Sequence, residues 1–171
     1  MAKPSKQVRK QRKTLLAMGE GKTDAAFLAH LRSLYCTDGR GVNVTIRKAN
    51  GKGPGNVIAT AIGALRITSY DKKLCLLDTD LDWTTENKKD AKRKKIELIG
   101  STPCLEGLLL LILQKIVPVT SDECKRDLKI LTSKSMYEPD DYLELFTYVQ
   151  LQIARSRIAD LDRMLHLYEG S

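Results

Sequence analysis

Three acidic side chains stand where apolar segments end. Glu20 follows the apolar run at residues 14–18 across a single glycine, and Asp78 and Asp80 follow the run at 74–77. If those runs are neighbouring parallel strands, the three carboxylates meet beyond their carboxyl ends, where open α/β sheets place ligands. Asp78 and Asp80 alternate along an extended chain, so both face one edge only if the backbone turns there. Asp82 adds a fourth negative group. Carboxylates held together repel one another unless a cation neutralises them or some take up protons. Mg²⁺, with Mn²⁺ as a substitute, suits such oxygen ligands and often bridges to substrate phosphate. One or two such ions at this place would serve hydrolysis of a phosphodiester. The same D-x-D-x-D triplet would also serve as a plain polar turn.

Other residues extend this chemistry. Glu106 is the only charged side chain in the span 103–113, within an apolar helix. It is either a further metal-binding acid or a first-turn acid favoured by the helix dipole. Lys22 follows the Glu20-Gly21 turn, where a cation could meet a phosphate. GEGKTD invites comparison with a phosphate-binding P-loop, but Leu16 stands where that motif needs its first glycine. The GKGPG segment at 51–55 could offer backbone amides to a phosphate or simply connect two elements. Lys88, Lys89, Lys92, Arg93, Lys94 and Lys95 form a basic run just beyond the acids. It would grip a nucleic-acid backbone or form a solvated face. Trp83 is the one tryptophan, so stacking on splayed bases has little support.

The elements that position these residues follow from apolar periodicity. Runs at 14–18, 42–46 and 74–77 predict strands, the last apolar throughout as in a strand covered on both faces. Phe27, Leu28, Leu31, Leu34 and Tyr35 mark a helix between the first two, with Thr23 as its expected N-cap. Val57, Ile58, Ala61, Ile62 and Leu65 mark another between the second and third. Strand, helix, strand, helix, strand predicts a parallel α/β sheet. A charged stretch at 87–95 leads to a fourth strand at 96–99. Thr102 and Pro103 are the expected start of a buried helix reaching Val117. A helical extension follows over 118–171, including a long segment at 139–168. Its stripe of Tyr142, Leu145, Phe146, Val149 and Ile153 shifts before Ile158, consistent with a bend. The expected organisation is a basic arm at 1–13, an α/β domain at 14–117 and the extension packed on it.

Bulk properties agree with that plan. The chain has 171 residues, enough for one domain, and 42% hydrophobic against 29% charged residues permits a packed core. A formal net charge of +8 fits a phosphate-rich partner or a merely basic surface. Cys36, Cys75, Cys104 and Cys124 are widely spaced and only two histidines accompany them, which argues against a zinc knuckle. No secretory signal is recognisable, and the apolar run at 108–113 is too short to span a bilayer. A cytoplasmic setting with reduced thiols is expected.

The segments LLAMGEGKTDAAFLAHL and LCLLDTDLDW together resemble the Toprim domain of topoisomerases, bacterial primases and overcoming-lysogenization-defect-type nucleases. STPCLEGLLLLIL resembles a motif of the RloB-like branch, although Thr102, Leu105 and Leu108 stand where that motif has Asn, Phe and Trp. The resemblance covers about residues 14–115. It implies a Rossmann-like parallel sheet of about four strands, with Glu20, Asp78 and Asp80 as catalytic metal-binding acids and Glu106 as a further acid of the site. It also implies nuclease activity on DNA or RNA in anti-phage defence, often beside an ATPase partner.

Three functions are therefore carried forward. The first is a Mg²⁺-dependent nuclease with Asp82 as a supporting acid and Lys22 and the basic run on phosphate. The second is a catalytically silent module that binds nucleic acid, a partner ATPase or its own copies. The third is a phosphohydrolase with Asp78 as nucleophile, for which Asp82 spoils the usual motif.

Overall fold

The structure is a computed structural model and describes residues 11–171. The arm expected at 1–13 lies outside this range except for its last three residues. Four strands, Thr14–Gly19 (β1), Asn43–Lys48 (β2), Lys72–Asp78 (β3) and Glu97–Ser101 (β4), form one parallel sheet in the order β2-β1-β3-β4. Helices Lys22–Tyr35 (α1), Gly53–Leu65 (α2) and Thr85–Arg93 (α3) make the crossovers. The α/β architecture expected from periodicity is the one observed.

Alternation along β1 and β3 divides the core. Leu15, Ala17, Leu74 and Leu76 pack on one face with α1 and the C-terminal helices. Leu16, Met18, Cys75 and Leu77 pack on the other with α2 and α3. Both central strands are thus buried on two sides, which is why they read as unbroken apolar runs. The chain leaves β1 towards β2 on one side and crosses to β3 on the other. The resulting switch point opens between the carboxyl ends of β1 and β3.

Two helical expectations need correction. The helix after β4 is Leu105–Ile112 (α4), shorter at both ends than 103–117, and its N-cap is Cys104. The Pro103 carbonyl accepts the amides of Thr79 and Asp80, each at 3.0 Å, so it serves the turn after β3 instead of a helix. At the other end Gln114 takes φ +58°, a left-handed conformation that stops the helix. The long segment at 139–168 divides into a 3-10 turn at Pro139–Tyr142 and helices Tyr148–Arg155 (α6) and Ala159–Glu169 (α7); Ser121–Thr132 (α5) precedes them. The Thr147 hydroxyl accepts the Gln150 amide and begins α6 afresh, and Ile158 is extended between α6 and α7. Tyr142 and Phe146 from the expected stripe are fully buried, whereas Val149 and Ile153 are 65% and 50% exposed.

The C-terminal helices belong to the same core. Leu151, Ala154, Leu161, Met164, Leu165 and Tyr168 pack with Phe27, Leu28 and Leu31 of α1. The Tyr168 hydroxyl donates to the Leu28 carbonyl at 3.0 Å, and that of Tyr142 to the Thr23 and Met136 carbonyls at 3.1 Å. At the sheet edges, Arg32 donates to the Val44 carbonyl of β2 and Arg163 to the Leu98 carbonyl of β4, both at 3.4 Å. Among the described residues, no helix is long and apolar enough to cross a membrane.

Because Phe146 is buried in the core shared with α1, Phe146→Ala is expected to destabilise the whole chain by about 3–5 kcal/mol. Urea unfolding followed by far-ultraviolet circular dichroism should then show one transition at a lower midpoint. A separate early transition would mean that the C-terminal helices form their own unit.

Candidate functional site

At the carboxyl end of β1 the chain must turn directly into α1. Gly19 permits this, because a Cβ there would lie 2.5 Å from the Asp24 Cβ. The N-cap of α1 is Gly21, not Thr23, which lies inside the helix. Having no side chain with which to cap, Gly21 instead donates its amide to Asp24 Oδ2 at 2.9 Å. Asp24 is thereby fixed over the end of β1, only 8% exposed.

Glu20 points across to the start of α2. Its Oε1 accepts the Gly53 amide at 3.2 Å, and its carbonyl accepts the Gly51 amide at 3.0 Å. The GKGPG loop is therefore an ordered support for this acid. Gly51 and Gly53, at φ +81° and +76°, supply backbone conformations that side chains disfavour.

The end of β3 is equally constrained. Asp78 is its last residue, and the chain bends at once through residues 79–81. This is the turn that sequence alternation required. Asp78 Oδ1 accepts the Ser101 hydroxyl at 3.0 Å and the Leu105 amide at 3.1 Å, so the first turn of α4 faces this carboxylate. Trp83 donates its indole N–H to the Asp78 carbonyl at 2.9 Å, folding the following loop back on the strand. Asp80 is exposed and accepts the Ser121 hydroxyl, at the start of α5, at 2.6 Å. Asp82 is exposed and lines a shallow depression with Trp83, Thr84 and Lys88.

Electrostatics links these groups. Burial pushes the Asp78 carboxyl up to about 7, and the negative charges of Asp24, Asp80 and Glu20 add to it against the Ser101 hydrogen bond. Burial likewise pushes Asp24 up to about 6; the Gly21 amide opposes this, while Glu106 and Glu20 reinforce it. Glu106 is half-buried and lines a cleft with Thr23, Lys125, Lys129 and Lys134. Partial burial works against the Lys125 charge, but surrounding negative groups, Glu106 foremost and Asp78 among them, hold its pKa above the usual lysine range.

Lys22 pairs with Glu138 at 3.6 Å and lies over the Tyr137 ring at 5.2 Å. The basic run occupies α3 and its end. Lys88 lines both the Asp82 depression and a groove that continues past Lys92 and Lys95 to Asp71 and Lys72, at the amino end of β3. Lys89, Arg93 and Lys94 are exposed along the same stretch. The structure thus places Glu20, Asp78, Asp80 and Glu106 around one edge, with the basic run extending from Lys88 at the Asp82 depression back along the sheet. Sequence reasoning passed over Asp24, Ser101, Ser121 and Lys125 as site residues. For Asp24 a signal existed: an acid three residues after a glycine N-cap, followed by the apolar face of a helix.

The donor set has the chemistry that Mg²⁺ takes. Asp78 Oδ2 has no protein donor among the described residues, and mutual repulsion favours a cation. Among the described residues, however, no group of three or more His, Cys, Asp or Glu side chains forms a ready cage. An ion here would use one or two carboxylates and complete its shell with water, as Mg²⁺ commonly does. No family model, curated protein or solved structure matches the chain.

Without a cation, the folded protein binds protons at Asp24 and Asp78 more tightly than the unfolded chain does. The contribution of these two groups to stability is then fully present where both are protonated, and is lost as pH rises from about 4 towards 7, while buried His30, its pKa lowered by burial, works in the opposite sense. Asp78→Asn and Asp24→Asn should flatten this decline and raise stability at pH 7.5 by on the order of 1–2 kcal/mol. Thermal melts in EDTA between pH 4 and 8 check this through the difference between variant and wild type; a difference that does not grow in the variants' favour as pH rises would contradict it.

Proposed function

We propose that the chain is a Mg²⁺-dependent nuclease that hydrolyses phosphodiester bonds in DNA or RNA. The observation that carries the reading is the meeting of Glu20, Asp24, Asp78 and Asp80 at the β1/β3 switch point, where Asp24 and Asp78 have raised pKa values. A protein of net charge +8 that concentrates carboxylates at this one place is organised to hold a cation against an anionic substrate. Asp78 and Asp80 would hold the ion with Glu20, and Glu106 and Asp82 would add negative charge nearby. The ion, when bound, would activate a water and stabilise the leaving oxygen.

The remaining work falls to neighbouring groups. Ser101 and the Leu105 amide fix the rotamer of Asp78, and the Gly53 amide fixes Glu20. Ser121 holds Asp80 towards α5. Such supporting hydrogen bonds typically change metal affinity or activity by about 10–100-fold. The resemblance to Toprim and RloB-like chains supports the same reading and suggests anti-phage defence as its setting.

The second reading is a silent module within a larger assembly, bound to a partner ATPase or to its own copies. It is favoured by apolar side chains left on the surface: Tyr148, Val149 and Ile153 of α6 are 47%, 65% and 50% exposed.

Incubating purified protein with labelled tRNA, single-stranded DNA and plasmid, in Mg²⁺ or Mn²⁺ against EDTA, separates the two. The nuclease reading expects metal-dependent cutting that Asp80→Ala abolishes and Ser101→Ala slows by about 10–100-fold. Cutting retained by Asp80→Ala would remove the assignment. A folded wild type that cuts none of the three would transfer the case to the silent module.

A further inference from the structure

A cleft of about 490 Å³ lies beside the acidic edge, between the start of α1, the start of α4 and the segment that follows α5. Glu106 lines it from the side of the acids, with Thr23, the neighbour of Asp24. Opposite stand Lys125, Lys129 and Lys134, with Ser133 and Ser135. Lys125 and Lys129 are one turn apart on α5 and share a face. Ser133 caps α5 in a left-handed conformation at φ +56°, which turns the chain so that Lys134 joins them. Lys134 lies 3.4 Å from Glu144, a side chain 78% exposed and therefore readily exchanged for another anion. Three lysines and hydroxyl donors in one concavity form an anion site, and its Glu106 wall joins it to the acidic edge.

We infer that this cleft, and not the α3 run, binds the nucleic-acid backbone next to the phosphate that reacts. The ligand's identity rests on the nuclease reading; the choice of cleft rests on distance. Of the α3 run, Lys88 alone also lines the Asp82 depression; Lys92 and Lys95 line the groove with Lys72, at the start of β3 and six residues from Asp78. At roughly 3.3 Å per residue that is about 20 Å from the acids, the length of about six phosphates along one strand of a duplex. A phosphate next to the reacting one cannot reach it. The α5 cleft shares Glu106 with the acids themselves. Sequence alone favoured α3 because its cations are consecutive, whereas Lys125, Lys129 and Lys134 are dispersed and converge only in the fold.

The test measures anisotropy of fluorescein-labelled single-stranded DNA and RNA of about 12 nucleotides, bound in EDTA so that no cutting occurs. Lys129→Ala/Lys134→Ala is compared with Lys92→Ala/Lys95→Ala, which removes the same charge from the α3 groove. Circular dichroism confirms that both variants fold. The cleft pair should lose roughly tenfold or more in affinity for the DNA, the RNA or both. It should also lower the salt slope by about 1.4, as expected for two phosphate contacts on a single strand; the α3 pair should lose clearly less. Equal losses, wild-type affinity in the cleft pair, or no binding of either probe by the wild type would overturn the inference. Failure of the parent reading looks different. Cleft variants that bind and cut like the wild type sink only the cleft, whereas Asp80→Ala that still cuts sinks the nuclease.

Discussion

The crowding of carboxylates at the end of β1 and β3 governs how the rest of this molecule is built. Charged groups this close are tolerated only where each has donors or can take up a proton. The structure supplies a donor to most of them individually: the Gly21 amide to Asp24, the Gly53 amide to Glu20, Ser101 and the Leu105 amide to Asp78, and Ser121 to Asp80. Apart from Ser101, the last residue of β4, those donors come from the starts of α1, α2, α4 and α5. Four helices therefore begin at this edge, each turning its positive end towards it. The raised pKa values of Asp24 and Asp78 show that these donors do not fully offset burial and repulsion.

The same requirement explains local geometry that looks arbitrary in sequence. Gly19 is small because α1 must come close enough to bring Asp24 over β1. Gly107 is small because a Cβ there would run into the Thr102 carbonyl and Pro103, closing the approach of α4 to the chain that leaves β4. The Pro103 carbonyl is withheld from the helix so that it can hold the amides of Thr79 and Asp80. Backbone groups here complete the acidic edge at the expense of helix length.

Much of the architecture was legible in the sequence because it depends on alternation and apolar runs. The fully buried Leu74, Cys75, Leu76 and Leu77 announced a strand covered on both faces, and Glu20, Asp78 and Asp80 announced their positions by following such runs. What escaped was set by tertiary contact. The break at Thr147 and the extended Ile158 divide a pattern that is helical throughout when read alone, and burial divides its stripe, keeping Tyr142 and Phe146 but not Val149 or Ile153. Asp24 reads as an ordinary first-turn acid until the Gly19 approach places it in the core. The basic run at 88–95 reads as adjacent to the acids, but α3 carries its later members back along the sheet to the opposite end. Proximity in sequence and proximity in space diverge once a helix runs antiparallel to the strand before it.

Arg32 and Arg163 close the two open sides of the sheet. Each lays a guanidinium on a carbonyl of an outer strand, Val44 of β2 and Leu98 of β4. An outer strand is a template on which another chain's backbone can add itself, and cations set along it discourage that addition. With a bulky charged group at each margin and Arg47 and Lys48 exposed at the end of β2, this sheet is guarded against growing beyond four strands. Contact with another chain would therefore have to use side-chain surfaces instead of backbone pairing, the route that leads to fibres.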